Sequence, residues 1–120
     1  MSDKEPADYV LQDSCDSEYW IIHIAGNYDD AVRAARKFTF NEGMCFQITR
    51  CAYVYTGGME DGVSVRVFRY PRFKKTVAEI SDQVFRFAQE LANELCQKSF
   101  SIEGKYSTEY YLSENPLHKK

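Results

Sequence analysis

The sequence predicts an α+β fold in which one mixed sheet has two helices on one of its faces. Three observations lead to this class. Residues 19–25 form a dense apolar run of β-forming residues, which is typical of a buried central strand. Residues 44–55 and 63–70 alternate in polarity as the strands of a hairpin do. Two further segments have apolar residues every three or four positions, as on the buried stripe of an amphipathic helix.

The first strand is predicted to end at Gly26 and to be followed by a helix. Asn27 can cap that helix, and Asp29 and Asp30 then lie in its first turn, where negative charge is favourable. The predicted buried stripe of this helix consists of Ala31, Val32, Ala35 and Phe38. The strand that follows should place Tyr53 and Tyr55 on one face and Val54 on the other.

The second half of the chain repeats this pattern of strand and helix. We expect a turn over residues 56–62 and a strand that ends at Pro71, which has no amide hydrogen to donate. Thr76 and Glu79 have the spacing of a capping box, so a long helix should begin there and run to about Cys96. Residues 99–112 are predicted to form a final hairpin with its turn near Gly104.

The predicted order is therefore β-α-β-β-α-β-β. A strand, a helix and a strand in series predict a right-handed crossover between parallel strands. One sheet with both helices on the same face would then be a variant of the ferredoxin-like fold with an extra strand.

The length of 120 residues fits a single domain with charged ends. Residues 1–18 contain six acidic residues against one lysine, whereas residues 19–120 contain 14 basic and 12 acidic residues. We expect an acidic, flexible N-terminal arm over residues 1–18, one α+β domain over residues 19–112 and a C-terminal tail over residues 113–120.

The four cysteines show no C-x-x-C spacing and follow no secretory leader, so we expect reduced thiols, three of them in or beside the core. This favours a location in the cytoplasm. No apolar run approaches the length of about 20 residues that a membrane span needs.

Neither a metal site nor a catalytic group stands out in the sequence. His23 lies in an apolar strand without cysteine or histidine partners at zinc spacing, so we interpret it as a core histidine with satisfied hydrogen bonds. The pair Glu60 and Asp61 lies in a polar turn, where carboxylates are normally solvated. The sequence therefore predicts no enzymatic activity, no bound metal and no cofactor.

One stretch combines cations with aromatic rings. Residues 65–75 contain five cationic side chains, and no acidic residue occurs between Val63 and Ala78. Rings can stack on bases, and arginine pairs with phosphate in a planar fork, so this stretch suits a nucleotide or a single-stranded nucleic acid. The alternative is an ordinary basic edge strand. The predicted ligand-binding surface consists of Arg66, Phe68, Tyr70 and Arg72, with Tyr53 and Tyr55 alongside.

Two blocks of sequence resemble small accessory proteins of bacterial viruses. The first contains Tyr55-Thr56-Gly57-Gly58 and Tyr70-Pro71-Arg72-Phe73, and the second runs from Leu91 to Phe100. Over residues 19–102 the chain resembles in particular the sponges that sequester the cyclic ADP-ribose isomers made by Thoeris defence. This resemblance implies a homo-oligomer that binds a cyclic nucleotide without cleaving it, with Arg72 at the phosphate and Phe100 on the base. It also implies a location in the cytoplasm of a bacterial host. The acidic arm departs from that family.

The sequence thus leads to two main hypotheses of function, with an enzyme that acts on nucleotides as the third. The first is a non-enzymatic phage anti-defence protein that sequesters a cyclic nucleotide or ADP-ribose-type immune signal as a homo-oligomer. The alternative is an interaction protein that binds nucleic acid, a host nuclease or a defence protein through the same basic and aromatic surface.

Overall fold

The structure, a computed structural model, describes residues 8–116. Its seven elements follow the predicted order, and their bounds are β1 (Tyr19–Ala25), α1 (Tyr28–Asn41), β2 (Gln47–Tyr55), β3 (Gly58–Phe68), α2 (Val77–Glu94), β4 (Ser99–Gly104) and β5 (Thr108–Leu112). The predicted α+β class is therefore confirmed.

The five strands form one sheet in the spatial order β2-β3-β1-β4-β5. All four neighbouring pairs are antiparallel, so the sheet is antiparallel and not mixed as expected. The reason is that β3 lies between β1 and β2, which themselves run in the same direction. The crossover through α1 therefore skips one position in the sheet. The first four strands have the ferredoxin-like arrangement, and β5 is the extra strand at the edge.

Both helices pack on the same face of the sheet, with α1 on β2 and β3 and α2 on β1 and β4. The alternating side chains of β1 show this directly, because Trp20, Ile22 and Ile24 are buried while their neighbours are only half-buried. Phe87 and Leu91 of α2 are fully buried against this layer. The rings of Phe46 and Phe87 stack with centroids 4.2 Å apart, which ties the start of β2 to the long helix.

The helix starts are as the sequence predicts. The Asn27 side chain accepts a hydrogen bond from the Asp30 amide, and Thr76 and Glu79 form both bonds of the capping box. The end of α2 and the turn between β2 and β3 differ from the prediction. The helix α2 stops at Glu94, and the turn between β2 and β3 is only Thr56-Gly57, with Gly57 at φ 85°. This short turn is possible because glycine adopts positive φ without a steric penalty.

Residues 8–18 have no regular secondary structure, yet they contact the sheet domain. The Glu18 carbonyl accepts a hydrogen bond from the Arg69 amide, and Lys74 forms an ion pair with Asp13. Residues 1–7 and 117–120 lie outside the described part of the chain. The division into an arm, a domain and a tail stays a prediction. No helix within residues 8–116 has the length and hydropathy that a membrane span requires.

Candidate functional site

The face of the sheet that carries no helix is here called the open face. Its side chains come from all five strands, namely Tyr19, Ile21, His23, Tyr53, Tyr55, Arg66, Phe68, Ser101, Glu103, Tyr110 and Leu112. Several of these apolar and aromatic side chains are more than one third exposed, among them Phe68, Tyr110 and Leu112. The open face thus combines exposed rings with a few polar groups.

A hydrogen-bonded chain crosses the middle of the open face. His23 Nε2 lies 2.8 Å from Glu103 Oε1, and His23 Nδ1 lies 2.9 Å from the Tyr53 hydroxyl, which donates to the Val63 carbonyl at 3.1 Å. Which ring nitrogen of His23 donates and which accepts depends on the tautomer of the imidazole. His23 is therefore satisfied, as expected, but it lies half-buried on the open face and not in the core.

Tyr53 reaches this chain by lying across Gly62. A Cβ atom built on Gly62 would be 2.6 Å from the Tyr53 ring and 2.7 Å from the Ile24 carbonyl oxygen. Burial is the main cause that raises the pKa of Tyr53 well above its usual value, with Cys51 and Glu103 adding to it. The hydroxyl therefore stays protonated and acts as a hydrogen-bonding group.

The structure brings three of the predicted site residues together at one end of the open face. The guanidinium of Arg66 lies 5.3 Å from the Phe68 ring and 5.8 Å from the ring of Tyr19. Phe68 and Tyr70 contact each other edge to face at 5.8 Å. Arg72 is exposed in the turn that follows. A basic and aromatic cluster of three predicted residues therefore exists at this end of the open face.

The remaining predicted residues lie elsewhere. Tyr53 pairs with Glu60 and Tyr55 with Gly58, whereas Arg66 pairs with Gln47 at the far end of the hairpin. The predicted turn over residues 56–62 would have moved both tyrosines toward Arg66, and the short turn at Thr56-Gly57 keeps them away from it. Phe100 is buried on the opposite, helix-bearing face of the sheet.

Phe100 belongs to a cleft between α2 and the edge strand, here called the α2–β5 cleft. The two helices pack mainly on the first four strands, so β5 is covered only in part on its helix side. Phe85 of α2 lies over Tyr111 of β5 with centroids 5.0 Å apart, and Tyr111 stacks on Phe100 at 5.2 Å. Phe85 and Tyr111 therefore meet across the cleft and divide it into two pockets.

The α2–β5 cleft has two ends that share Phe85 and Tyr111. The end beside the C-terminal half of α2 has a volume of about 370 Å³ and contains the amide side chains of Gln89, Asn93 and Gln97. The end beside the first turns of α2 has a volume of about 260 Å³ and is lined by Glu18, Lys105 and Glu109, among others. The volume of about 370 Å³ lies within the roughly 300–1,000 Å³ of ligand pockets, whereas that of about 260 Å³ lies just below it.

Two details fix side chains in the α2–β5 cleft. The Tyr111 hydroxyl donates to Glu109 at 2.5 Å, and this hydrogen bond is the main cause that raises the pKa of Tyr111 to about 12. Cys96 has a positive φ of 56°, which is the left-handed end of α2, and this turn directs the chain into Gln97. A non-glycine residue in this conformation carries strain, which is often found at functional sites.

Sequence reasoning missed the α2–β5 cleft. No periodicity indicates that a fifth strand lies beyond the helices, because that position depends on long-range pairing. The only signal was the block from Leu91 to Phe100, which the resemblance had singled out and which forms much of one end of the cleft. The four cysteines are free, as expected, but the placement of three of them in or beside the core was wrong, since Cys15, Cys45 and Cys96 are exposed and Cys51 is half-buried.

The chain matches no protein-family model and no curated protein sequence. It is similar in structure to a phage SAM lyase in complex with S-methyl-5'-thioadenosine, with a TM-score of 0.69 and 13% sequence identity. That match covers 90% of this chain and 98% of the other. A phage SAM lyase in the apo state matches with a TM-score of 0.59 and 16% identity, over 81% and 90% of the two chains. At these identities the likeness establishes a shared fold.

These neighbours correct two predictions and support a third in part. The predictions of a non-enzymatic sponge and of a chain without enzymatic activity are wrong, because both neighbours are enzymes. The resemblance to phage proteins is supported at the level of the group, although not to a Thoeris sponge. The expectation of a nucleotide-type ligand is supported coarsely, since one neighbour holds a methylthio nucleoside. The predicted site residues stay a prediction.

Proposed function

We propose that this protein is a lyase that cleaves S-adenosylmethionine (SAM) to S-methyl-5'-thioadenosine. The observation that carries the proposal is the match of nearly the whole chain to a phage SAM lyase that holds this nucleoside. The chain also has a cleft of suitable volume with aromatic walls and amide side chains. Removing SAM would deprive SAM-dependent host enzymes of their methyl donor, and this is the anti-defence role that we propose.

The reaction can be balanced without any group from outside the substrate. The bond between the sulfonium sulfur and the γ-carbon of the amino acid part breaks, and sulfur keeps the electron pair to become a neutral thioether. The carboxylate oxygen of the same substrate molecule forms the new bond to that carbon, which gives a five-membered lactone. No water, metal or reductant takes part, and no proton needs to be transferred.

Such a reaction needs binding and positioning more than acid–base groups. A negative and a positive charge disappear together, so surroundings less polar than water favour the transition state over the separated charges. The substrate must also be folded so that its carboxylate approaches the γ-carbon. A site that holds this conformation raises the reaction rate, because unproductive conformations are excluded. Residues that hold the two parts of SAM on aromatic walls would supply both effects.

The test is an assay of the purified chain with SAM, followed by chromatography of S-methyl-5'-thioadenosine. We expect the nucleoside to form faster than in buffer alone and faster than with heat-unfolded protein. In water enriched in ¹⁸O, the newly released four-carbon fragment should carry no label. Release at the rate of buffer alone would refute the activity, and a labelled fragment at the earliest times would indicate hydrolysis instead of a lyase reaction.

A further inference from the structure

The N-terminal arm contains an apolar stretch that its own chain leaves uncovered. Tyr9 and Leu11 are 91% and 86% exposed, and Val10 between them is 69% exposed. Asp8 precedes this stretch and Asp13 follows it, and residues 8–13 are here called the arm segment. Three neighbouring large apolar side chains in water are unfavourable, so the arm segment is suited to pack on another surface.

The part of the arm that follows is anchored to the loop after β3. Asp13 forms an ion pair with Lys74, and the Cys15 thiol donates a hydrogen bond to the Arg69 carbonyl at 3.7 Å. The Arg69 amide donates to the Glu18 carbonyl at 2.9 Å. These contacts fix the point from which the arm segment leaves the domain. A fixed starting point reduces the conformational entropy that the segment loses when it docks.

A groove of matching character runs along the outer side of α1 and is here called the α1 groove. Three alanines and Phe38 are the buried residues of this helix, whereas Phe40 is 90% exposed. The groove has a volume of about 530 Å³. Its lining includes two apolar side chains, three cations and one carboxylate, namely Val32, Phe40, Arg33, Arg36, Lys37 and Asp29.

The cations of the α1 groove are available to an acidic partner. Arg33 pairs with Asp30 at 2.8 Å, and both side chains are largely exposed. Lys37 lies 3.9 Å from Glu94, and these side chains are also largely exposed. Ion pairs at the surface contribute little to stability, so they can be exchanged at low cost. Arg36 is exposed beside them, and the groove keeps an excess of positive charge.

We propose that the arm segment of one copy docks in the α1 groove of a second copy, so that the protein associates through its arms. A second copy is the partner because the anchored arm leaves this segment exposed on its own chain. The apolar side chains of the segment cover Val32 and Phe40, and its two carboxylates approach the cations. This contact is separate from the open face and independent of the proposed reaction.

The lengths of the two surfaces agree. In an extended conformation, residues 8–13 span about 17 Å at the rise of a strand. Along the axis of α1, Val32 and Phe40 are about 12 Å apart at the rise of a helix. The arm segment is therefore long enough to run the whole length of the α1 groove.

The first test is sedimentation velocity of the full chain over a range of concentrations. The unaltered protein should associate, and less so when NaCl is raised from about 0.1 M to about 0.5 M, because salt screens the opposite charges. Leu11→Ser and Phe40→Ser should each weaken the association about tenfold or more, since each removes a large apolar side chain from the contact. Arg36→Glu should weaken it as well.

Val54→Ser is the matched control, because Val54 is an exposed apolar residue that belongs to neither surface. This variant should associate as the unaltered protein does. Urea denaturation of each variant shows whether it remains folded, which is expected since Leu11 and Phe40 are exposed. A protein that stays monomeric at every concentration would overturn the proposal. Unchanged association of Leu11→Ser and Phe40→Ser would also overturn it, because the copies would then meet at another surface.

A disulfide between two copies tests the partner directly. Gln12→Cys and Asn41→Cys place thiols beside the arm segment and the α1 groove and remove none of the proposed contacts. When the two single variants are mixed and oxidised, mass spectrometry should find the peptides around positions 12 and 41 joined. Gln89→Cys on α2 should give no such product with Gln12→Cys. Absence of the disulfide between positions 12 and 41, or an equal yield with Gln89→Cys, would overturn the proposal.

Discussion

Replacement of Gly62 by alanine should destabilise the protein although the backbone there needs no glycine conformation. The added methyl group would lie 2.6 Å from the Tyr53 ring and 2.7 Å from the carbonyl oxygen of Ile24. The ring can turn away, but the carbonyl is part of the central strand pair and can move only with its strand. Overpacking of this kind costs about 1–3 kcal/mol, and the displaced Tyr53 loses a hydrogen bond worth about 1 kcal/mol.

We therefore expect Gly62→Ala to lower the free energy of unfolding by about 2–4 kcal/mol, measured by urea denaturation with a common m-value. Gly43→Ala is the matched control, because its added methyl group would meet only the Lys75 ammonium at 3.9 Å. That variant should stay within about 0.5 kcal/mol of the unaltered protein. A cost below about 0.5 kcal/mol for Gly62→Ala would refute the contact that Tyr53 makes across the strand.

Three further predictions concern stability and association. Leu91→Ala should cost about 2–5 kcal/mol in urea denaturation, because Leu91 is fully buried, and a loss below about 1 kcal/mol would contradict that packing. Hydrogen bonds from Arg86 and Gln83 lower the pKa of Glu42 from 4.5 to about 2. The ionised carboxylate should therefore add about 1 kcal/mol to the free energy of unfolding above pH 4.5, and this contribution should be lost as the pH falls toward 2. Glu42→Gln should flatten the dependence of stability on pH in that range, and an unchanged dependence would argue against the contribution of Glu42. The exposed rings of the open face predict a homo-oligomer, and light scattering that gives a mass near 14.0 kDa at micromolar concentration would reject it.

The elements could be predicted because their determinants are local in the sequence. Asn27 and the Thr76–Glu79 box each mark a helix start through hydrogen bonds within one turn. The alternation of residues 63–68 has one buried and one exposed face, so its strand could be assigned with its orientation. These patterns depend on neighbours three or four positions away and need no knowledge of the rest of the fold.

The candidate site could not be predicted because it depends on pairing between distant segments. The run Tyr19–Ala25 is apolar on both sides of His23, so it does not reveal that His23 faces away from the helices. An error in the length of one turn was enough to place Tyr53 and Tyr55 beside Arg66, since the turn sets the register of the whole hairpin. The α2–β5 cleft exists only because the last strand lies beyond the two helices.

The position of β1 has a consequence for how the chain folds. The first strand of the sequence lies in the middle of the sheet, and its second partner, β4, comes near the end of the chain, as the His23–Glu103 hydrogen bond across 80 positions illustrates. A nascent chain that ends before Ser99 would leave one side of the central strand unpaired. Pairing of the central strand should therefore await synthesis of the chain through β4, and folding should be slower than in a helical bundle of similar size, where local contacts dominate.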